Sequence, residues 1–328
     1  VARIVRTDRE LEIPAVDAAL RADGHELVLL DEGIAEDKLV EAAREADLIL
    51  MCYTPITRRV IEGARKLRAI VKYGVGIDAI DLAAARSRGI PVVNVPDYAE
   101  ETVAEGAFAL MMALAKKLKP LQRAMEGQDW VWPTGEWLAS DLAGKTVGLV
   151  GLGRIGSSFA RMAAAFRMRV LAYDPYVKNT APDLRAMLAE SDFVSIHCVL
   201  NDETRHLIGE RELSAMKRTA FLVNVSRGAI VDEMALLKAL QEGRLAGAAL
   251  DVYSREPLSR RDHPLSALYA MDNVILSPHL TFYTREAMAR LEADTLERCH
   301  EALEGRSLTV KSRDPRLRAQ TRGVRFVD

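Results

Sequence analysis

Apolar residues along this chain come in short runs separated by stretches with helical spacing, and the alternation occurs twice. In the first half "ARIVRT", "ELVLL", "DLILMC", "RAIVKY" and "PVVNV" read as buried strands, with "AEDKLVEAARE" and "AIDLAAARSRG" among the helical stretches between them. The second half restarts with "TVGLVG", "RVLAYD", "FVSIHC", "AFLVNV", "GAALDV" and "NVILSP". Strands of this kind, each followed by a crossover helix, predict parallel sheets covered on both faces. The expected fold class is therefore α/β, with two doubly wound parallel-sheet domains. Between the halves, "ETVAEGAFALMMALAKKL" (101–118) predicts one long, mostly buried helix, and the irregular stretch after it, "MEGQDWVWPTGEWLASDLAG", carries all three tryptophans. "TREAMARLEADTLERCHEALEG" reads as a last helix with no strand behind it. The tail 311–328, with six basic and two acidic residues and no apolar period, reads as mostly solvated.

One strand–turn–helix unit carries chemistry. In "KTVGLVGLGRIGSSFARMAAAF" (145–166) Gly151 permits a tight turn, Gly153 lets backbone approach a pyrophosphate, and Gly156 allows a helix to pack closely on its strand. The helix N-terminus that follows offers unpaired N–H groups to phosphate. The next strand ends in Asp174, 18 residues after Gly156, where a carboxylate accepts hydrogen bonds from a ribose diol. The same charge repels a 2′-phosphate, and Pro175 and Tyr176 supply no arginine to offset it. The cofactor expected is NAD.

Later strand ends, where ligands sit in open α/β sheets, hold a second set. "FLVNVSRGAIVDE" places Arg227 past a buried strand, before a glycine that can bend the backbone. "GAALDVYSREP" places Asp251 and Glu256 past the next strand, and "NVILSPHL" places His279 past the last. Each alone also reads as an ordinary strand-end residue. Together they fit proton-coupled hydride chemistry: histidine gives or takes a proton at a carbonyl oxygen near neutrality, Glu256 beside it favours its protonated form, and an arginine fork holds a neighbouring carboxylate.

Composition narrows the partners. Lys and Arg total 45 against 47 Asp and Glu, a net charge of −2, so no global field recruits nucleic acid or an anionic membrane, and a small molecule is the expected partner. Cys52, Cys198 and Cys299 are widely spaced with no CxxC pattern, which argues against disulfides and zinc and fits a reducing cytoplasm. The longest apolar run, "GAFALMMALA", is too short for a membrane span, and "VARIVRTDRE" has no signal-peptide core.

The motifs "GLGRIG", "NVSRGAIVDE", "GAALDVYSREP" and "SPH", in this order and spacing, resemble the D-isomer-specific 2-hydroxyacid dehydrogenases, and "KYGVGIDAIDLAAARSRGIPVVNVPDY" extends the resemblance over nearly the whole chain. The resemblance implies that Arg227, Glu256 and His279 are catalytic. It implies that Arg154, Ile155, Asp174, Cys198, Val225, Ser226 and Asp251 contact the nucleotide, and that backbone N–H groups at Val75 and Gly76 meet the substrate carboxylate. It also implies that a Rossmann nucleotide domain (98–283) is inserted into a flavodoxin-like substrate domain (1–97 plus 284–328). A homodimer built through the nucleotide domain and its long helix is implied too, and the segment Trp130 to Trp137 reads equally well as part of that contact or as ordinary core and loop packing.

Departures from the pattern bear on the substrate. Phosphoglycerate dehydrogenases carry a basic residue in the loop that here reads "MCYTPIT", so Met51, Cys52 and Tyr53 disfavour a phosphorylated acid. "LTFYT" and "RMRVLAYDPYV" are similar to the C-terminal-binding-protein corepressors, and an aromatic Phe282 facing the substrate with Tyr53 would suit an apolar side chain, although core packing explains Phe282 nearly as well. The reading favoured is an NAD-dependent 2-oxo acid reductase. The alternative is an NAD(H)-sensing interaction protein, which would need an exposed peptide groove. Metal-dependent alcohol oxidation lacks any fitting Cys/His spacing.

Overall fold

The computed structural model describes every residue except Asn179, Pro182 and Asp328, and leaves aside the side chain of Gln128. The chain forms two compact units: Val1–Ala99 with Thr284–Asp328, and Glu100–Tyr283.

The first unit is built on a parallel sheet of five strands, β1 (Arg3–Arg6), β2 (Glu26–Leu29), β3 (Leu48–Met51), β4 (Ala69–Lys72) and β5 (Val92–Asn94), in the order β2-β1-β3-β4-β5. Every residue of β3 and β4 is buried, which is why those segments read as continuous apolar runs rather than alternating ones. The second unit has six parallel strands, β6 (Thr146–Val150), β7 (Arg169–Tyr173), β8 (Phe193–Ile196), β9 (Phe221–Asn224), β10 (Gly247–Leu250) and β11 (Val274–Leu276), in the order β11-β10-β9-β8-β6-β7. In both sheets the first strand lies between the second and the third, so the direction of winding reverses beside it and leaves a crevice at the carboxyl ends.

Register brings the chemistry to one edge. Val150 pairs with Tyr173 and Ile196, Ile196 with Asn224, Asn224 with Leu250, and Leu250 with Leu276. The residues just past these positions therefore line up along the same end of the sheet. The helix Glu100–Ala115 backs this sheet through Phe108, Met111 and Leu114, and the Phe108 ring lies 5.6 Å from Phe159 and 4.8 Å from Phe166. Truncating a buried phenylalanine of this kind costs about 3–5 kcal/mol.

Two expectations fail, each for a local reason. The long helix ends at Ala115, because Lys117 takes a left-handed conformation (φ 52°) and donates through its ammonium to the Glu136 carbonyl at 2.6 Å; a second helix, Leu118–Gln128, starts afterwards. The helix Arg285–Leu303 does have a strand behind it, β12 (Leu308–Val310), which pairs with β13 (Val324–Phe326) in the tail. The tail is thus folded onto the first unit. Leu317 is fully buried, and Arg325 donates to the buried Glu301 at 3.2 Å and to Thr309 Oγ1 at 2.7 Å. Three-residue strands are too short to show a period; most of the tail stays exposed, but Arg316, Arg318 and Arg325 have hydrogen-bond partners.

Candidate functional site

At the end of β6 the glycines do what a nucleotide turn requires. Gly151 has φ 97°, and a Cβ there would stand 2.6 Å from the Cys198 backbone nitrogen. A Cβ on Gly156 would stand 2.3 Å from the Gly151 carbonyl oxygen, so the helix Arg154–Ala165 can begin this close to the strand only without one. Gly153 caps that helix with no side-chain partner for its first N–H groups, and nothing lies within 4 Å of its Cβ position. Asp174, past β7, accepts from Leu152 N–H at 2.8 Å and from Tyr176 N–H at 2.9 Å, one on each oxygen. Each oxygen keeps a lone pair. Open donors at a helix start and a carboxylate beside the turn fit a pyrophosphate and a ribose diol, as in NAD.

Around this turn lie the other nucleotide candidates. Arg154 and Ile155 open the helix and are half-buried, and the Arg154 Nε lies 4.0 Å from Glu100. The Cys198 carbonyl accepts from the Ser226 hydroxyl, and burial pushes the Cys198 thiol up to about 12, which leaves it a neutral side chain. Val225 is buried.

The strand-end set assembles at β9, β10 and β11. Glu256 Oε2 accepts from His279 Nδ1–H at 2.9 Å, and Glu256 Oε1 accepts from Tyr253 N–H at 2.9 Å. The two side chains are 28% and 22% exposed. Burial alone would raise the Glu256 carboxyl, but the His279 hydrogen bond and charge, the Tyr253 N–H and the Arg227 charge together bring it below its ordinary value. An ionised carboxylate only accepts, so it fixes the imidazole proton on Nδ1 and leaves Nε2 for a reacting group. His279 has φ 59°, a left-handed conformation that a non-glycine residue holds only when its surroundings impose it.

Asp251 imposes it. Fully buried, its carboxylate accepts Leu280 N–H at 2.9 Å, Thr281 N–H at 3.0 Å and the Thr281 hydroxyl at 2.6 Å. Asp251, which the resemblance makes a nucleotide contact, accepts these three hydrogen bonds from the histidine's own loop. Phe282 is buried, as its core-packing reading expects, with its ring edge-on to His279 at 6.2 Å and to Tyr283 at 5.9 Å. It braces the imidazole, and its neighbour Tyr283 is the exposed aromatic. The glycine after Arg227 serves differently from expectation. Gly228 does not bend the chain into a left-handed turn; it lies against Tyr253 and Ser254 so closely that a Cβ would stand 2.1 Å from their backbone.

The first unit holds the remaining candidates. Tyr53 N–H donates to Asp8 Oδ2 at 3.0 Å, as does Cys52 N–H at 2.8 Å, and Thr54 donates to Oδ1 through N–H at 2.9 Å and its hydroxyl at 2.6 Å. Asp8 itself has φ 58°. Val75 is exposed, Gly76 is half-buried, and the Val75 carbonyl accepts from Asn94 Nδ2 at 2.6 Å. Although "MCYTPIT" holds no cation, the fold brings one to it: Lys72, 4% exposed, donates to the Cys52 carbonyl at 2.7 Å and to Cys52 Sγ at 3.0 Å, with its charge 5.4 Å from the Tyr53 ring centre.

Sequence reasoning missed Asp8, Lys72 and Asn224. Asn224 Nδ2 donates to the Arg227 carbonyl at 2.9 Å and Oδ1 accepts Ser226 N–H at 3.1 Å. A polar residue closing an otherwise apolar strand, as in "FLVN", was the available signal. Among the described residues no group of three or more His, Cys, Asp or Glu could hold a metal ion, and no helix is long and apolar enough to cross a membrane.

Comparison with known proteins agrees with this geometry. Residues 108–281 match the family model described as D-isomer specific 2-hydroxyacid dehydrogenase, NAD binding domain. The glyoxylate reductase of Korarchaeum cryptofilum (strain OPF8) is 43% identical over 272 residues, covering 79% of this chain and 81% of that protein. The glyoxylate reductase of Pyrococcus horikoshii is 39% identical over 304 residues, covering 87% and 90%. The D-lactate dehydrogenase of Aquifex aeolicus, solved as a complex with NAD and lactic acid, superposes with a TM-score of 0.84 at 29% identity, covering 92% of this chain and 96% of that one. The chain therefore belongs to the D-isomer-specific 2-hydroxyacid dehydrogenase family, and it is an NAD-dependent oxidoreductase of 2-hydroxy and 2-oxo acids.

Proposed function

We propose that this dehydrogenase reduces a small, non-phosphorylated 2-oxo acid to the corresponding 2-hydroxy acid, the D isomer where a stereocentre forms, and that glyoxylate is the first substrate to test. The observation that carries the reading is the His279–Glu256 pair at 2.9 Å beside Arg227, at the carboxyl end of the sheet that holds the glycine turn. When bound, NADH supplies the hydride. Gly151, Gly153, Gly156, Arg154, Ile155 and Asp174 would hold its pyrophosphate and ribose, and Cys198, Val225, Ser226 and Asp251 would complete the nucleotide site. Arg227 takes the substrate carboxylate with its fork and polarises the adjacent carbonyl. His279 Nε2 gives the proton that the carbonyl oxygen needs, and Glu256 holds the ring through Nδ1 so that Nε2 faces that oxygen.

The unit Val1–Ala99 with Thr284–Asp328 is assigned the substrate role, through Tyr53 and the N–H groups of Val75 and Gly76. Phosphorylated acids are disfavoured because Lys72 is buried and donates to Cys52, and Met51 and Cys52 are buried beside the half-buried Tyr53. The names of the two archaeal relatives support glyoxylate. Trp130 and Trp132, 64% and 75% exposed and packed edge-to-face at 6.4 Å, support a homodimer built through this segment, and three free thiols suit a cytoplasmic setting.

A panel of glyoxylate, pyruvate, hydroxypyruvate and 3-phosphohydroxypyruvate, followed by NADH absorbance, tests the reading. Turnover of an unphosphorylated acid with little of the phosphorylated one is the expected result. No turnover of any 2-oxo acid would overturn it, and light scattering of wild type and Trp132→Ser would check the dimer.

A further inference from the structure

We propose that Asn224 is a positioning residue for Arg227, setting the angle at which the guanidinium meets the substrate carboxylate. The inference rests on the reading of Arg227 as the carboxylate clamp. Asn224 closes β9, is 1% exposed, and turns both ends of its amide onto the segment that follows. Nδ2 donates to the Arg227 carbonyl at 2.9 Å while Oδ1 accepts Ser226 N–H at 3.1 Å, so one rigid plane grips that segment at two points.

The guanidinium is referenced to that plane. Arg227 Nη1 donates to the Ser226 carbonyl at 2.8 Å, so the group that aims the fork belongs to the residue whose N–H Asn224 holds. The Ser226 hydroxyl is tied to the Cys198 carbonyl past the neighbouring strand β8. On the other side Gly228 lies on the Tyr253–Ser254 backbone with no room for a Cβ. That contact stops the loop from moving toward the glutamate's segment, and Asn224 stops it from moving away. An amide of this length supplies one donor and one acceptor in a fixed plane; ionised aspartate supplies two acceptors, and leucine neither.

Misplacement by about an ångström is enough to cost a positioned group on the order of 100-fold. A shared contribution of that size leaves a separable signature: the Michaelis constant for glyoxylate rises and turnover falls, while NADH affinity holds. Asn224→Asp makes the test specific. Ionised, its second oxygen faces the Arg227 carbonyl and repels it. Protonated, it donates to that carbonyl while the first oxygen still accepts from Ser226, which restores the native pair. A buried carboxyl protonates at a higher pH than an exposed one, so restoration falls within a workable range.

The experiment measures glyoxylate kinetics, NADH affinity and calorimetric binding of oxamate to the protein–NADH complex for the unmodified enzyme, Asn224→Ala and Asn224→Asp, from pH 5 to 8. The expected result at pH 7.5 is a rise of roughly tenfold in the glyoxylate Michaelis constant and a matching loss of oxamate affinity in both variants, with NADH affinity unchanged. The ratio of Asn224→Asp to unmodified enzyme should fall toward one as pH drops, and the Asn224→Ala ratio should stay flat. A flat Asn224→Asp ratio, or variants whose glyoxylate and oxamate constants stay within twofold while only thermal stability drops, overturns the proposal. If Asn224→Ala does not fold, the Asn224→Asp pH series decides alone. Absence of turnover in the unmodified enzyme would sink the parent reading and this inference with it, whereas turnover with unmoved constants sinks this inference alone.

Discussion

The first strands of the two units, β1 and β6, occupy the same place in their sheets, and the turns that follow them are built in opposite ways. After β6 come glycines, an unobstructed Gly153 and a helix start with no side-chain cap. After β1 comes Asp8, a non-glycine at φ 58°, whose carboxylate takes the N–H groups of Cys52, Tyr53 and Thr54 from the loop that follows β3. One switch point is left open for a ligand's negative charge. The other is filled with a negative charge belonging to the chain. Topology creates a crevice in both sheets, and the residues of the turn decide whether it binds a nucleotide or props a loop.

Breaking each side of that contrast should give distinct readouts. The largest effect is expected from His279→Gln, with turnover down by ~100-fold or more and NADH affinity unchanged, because general acid–base help is worth about that much. Wild-type turnover across pH would make the histidine structural. Next comes Asp8→Asn, which keeps the shape but weakens hydrogen bonds to a charged acceptor, each worth roughly 1.5–3 kcal/mol. Urea unfolding should register that loss, and the glyoxylate Michaelis constant should rise severalfold while NADH binding stays put. A parallel loss of NADH affinity would show that the contrast between the two turns is misdrawn. Asp174→Ala should reduce the preference for NADH over NADPH by about tenfold, one charged hydrogen bond's worth, as read by fluorescence titration. Tighter binding of NADPH by the unmodified protein would contradict the role given to Asp174.

The smallest effect is a pH dependence. His197, which packs under the glycine turn with its ring 5.2 Å from Phe159, is held by burial at about 3, well below its ordinary value. Below about pH 6.5 the unfolded chain binds a proton that the folded chain refuses until near pH 3, so stability falls as pH drops through that window at ~1.4 kcal/mol per unit. Asp17 in the other unit has the opposite sign: burial raises its carboxyl above the ordinary value despite Arg6 and Arg21, so acid does not weaken the folded state through it. Calorimetry at pH 5.5 and 7 should show acid lowering the transition of the nucleotide-binding unit first, with NADH shifting that transition upward. His197→Gln should remove most of the pH slope, and an unchanged slope would contradict the assignment.

What was legible in the sequence was what repeats or stands at a strand end. Eleven apolar runs became the eleven strands of the two main sheets, and Arg227, Glu256 and His279 were visible because each follows such a run. What was not legible depends on partners far apart in the chain. Asp8 reaches residues 44 to 46 positions away, and nothing local to "RTDRE" announces it. Lys72 looked like a strand residue among apolar neighbours, and only the pairing of β3 with β4 puts it on Cys52. Phe282 was read as facing the substrate because its position along the chain was known and its direction was not. Its burial and its edge-on contact with His279 become visible only in the fold.

The contact at Gly228 ties two segments together in a way that bears on recombination between homologues. Residues 224–228 and 251–257 share a backbone-to-backbone wall, and a Cβ at Gly228 would stand 2.1 Å from Tyr253 and Ser254, too close for either segment to drift separately. Asp251 then links the second segment to 280–281. A chimera with a breakpoint between these pieces would mate loops that had never been fitted to one another, whereas one that moves all three would carry the arginine, glutamate and histidine as a single inherited block.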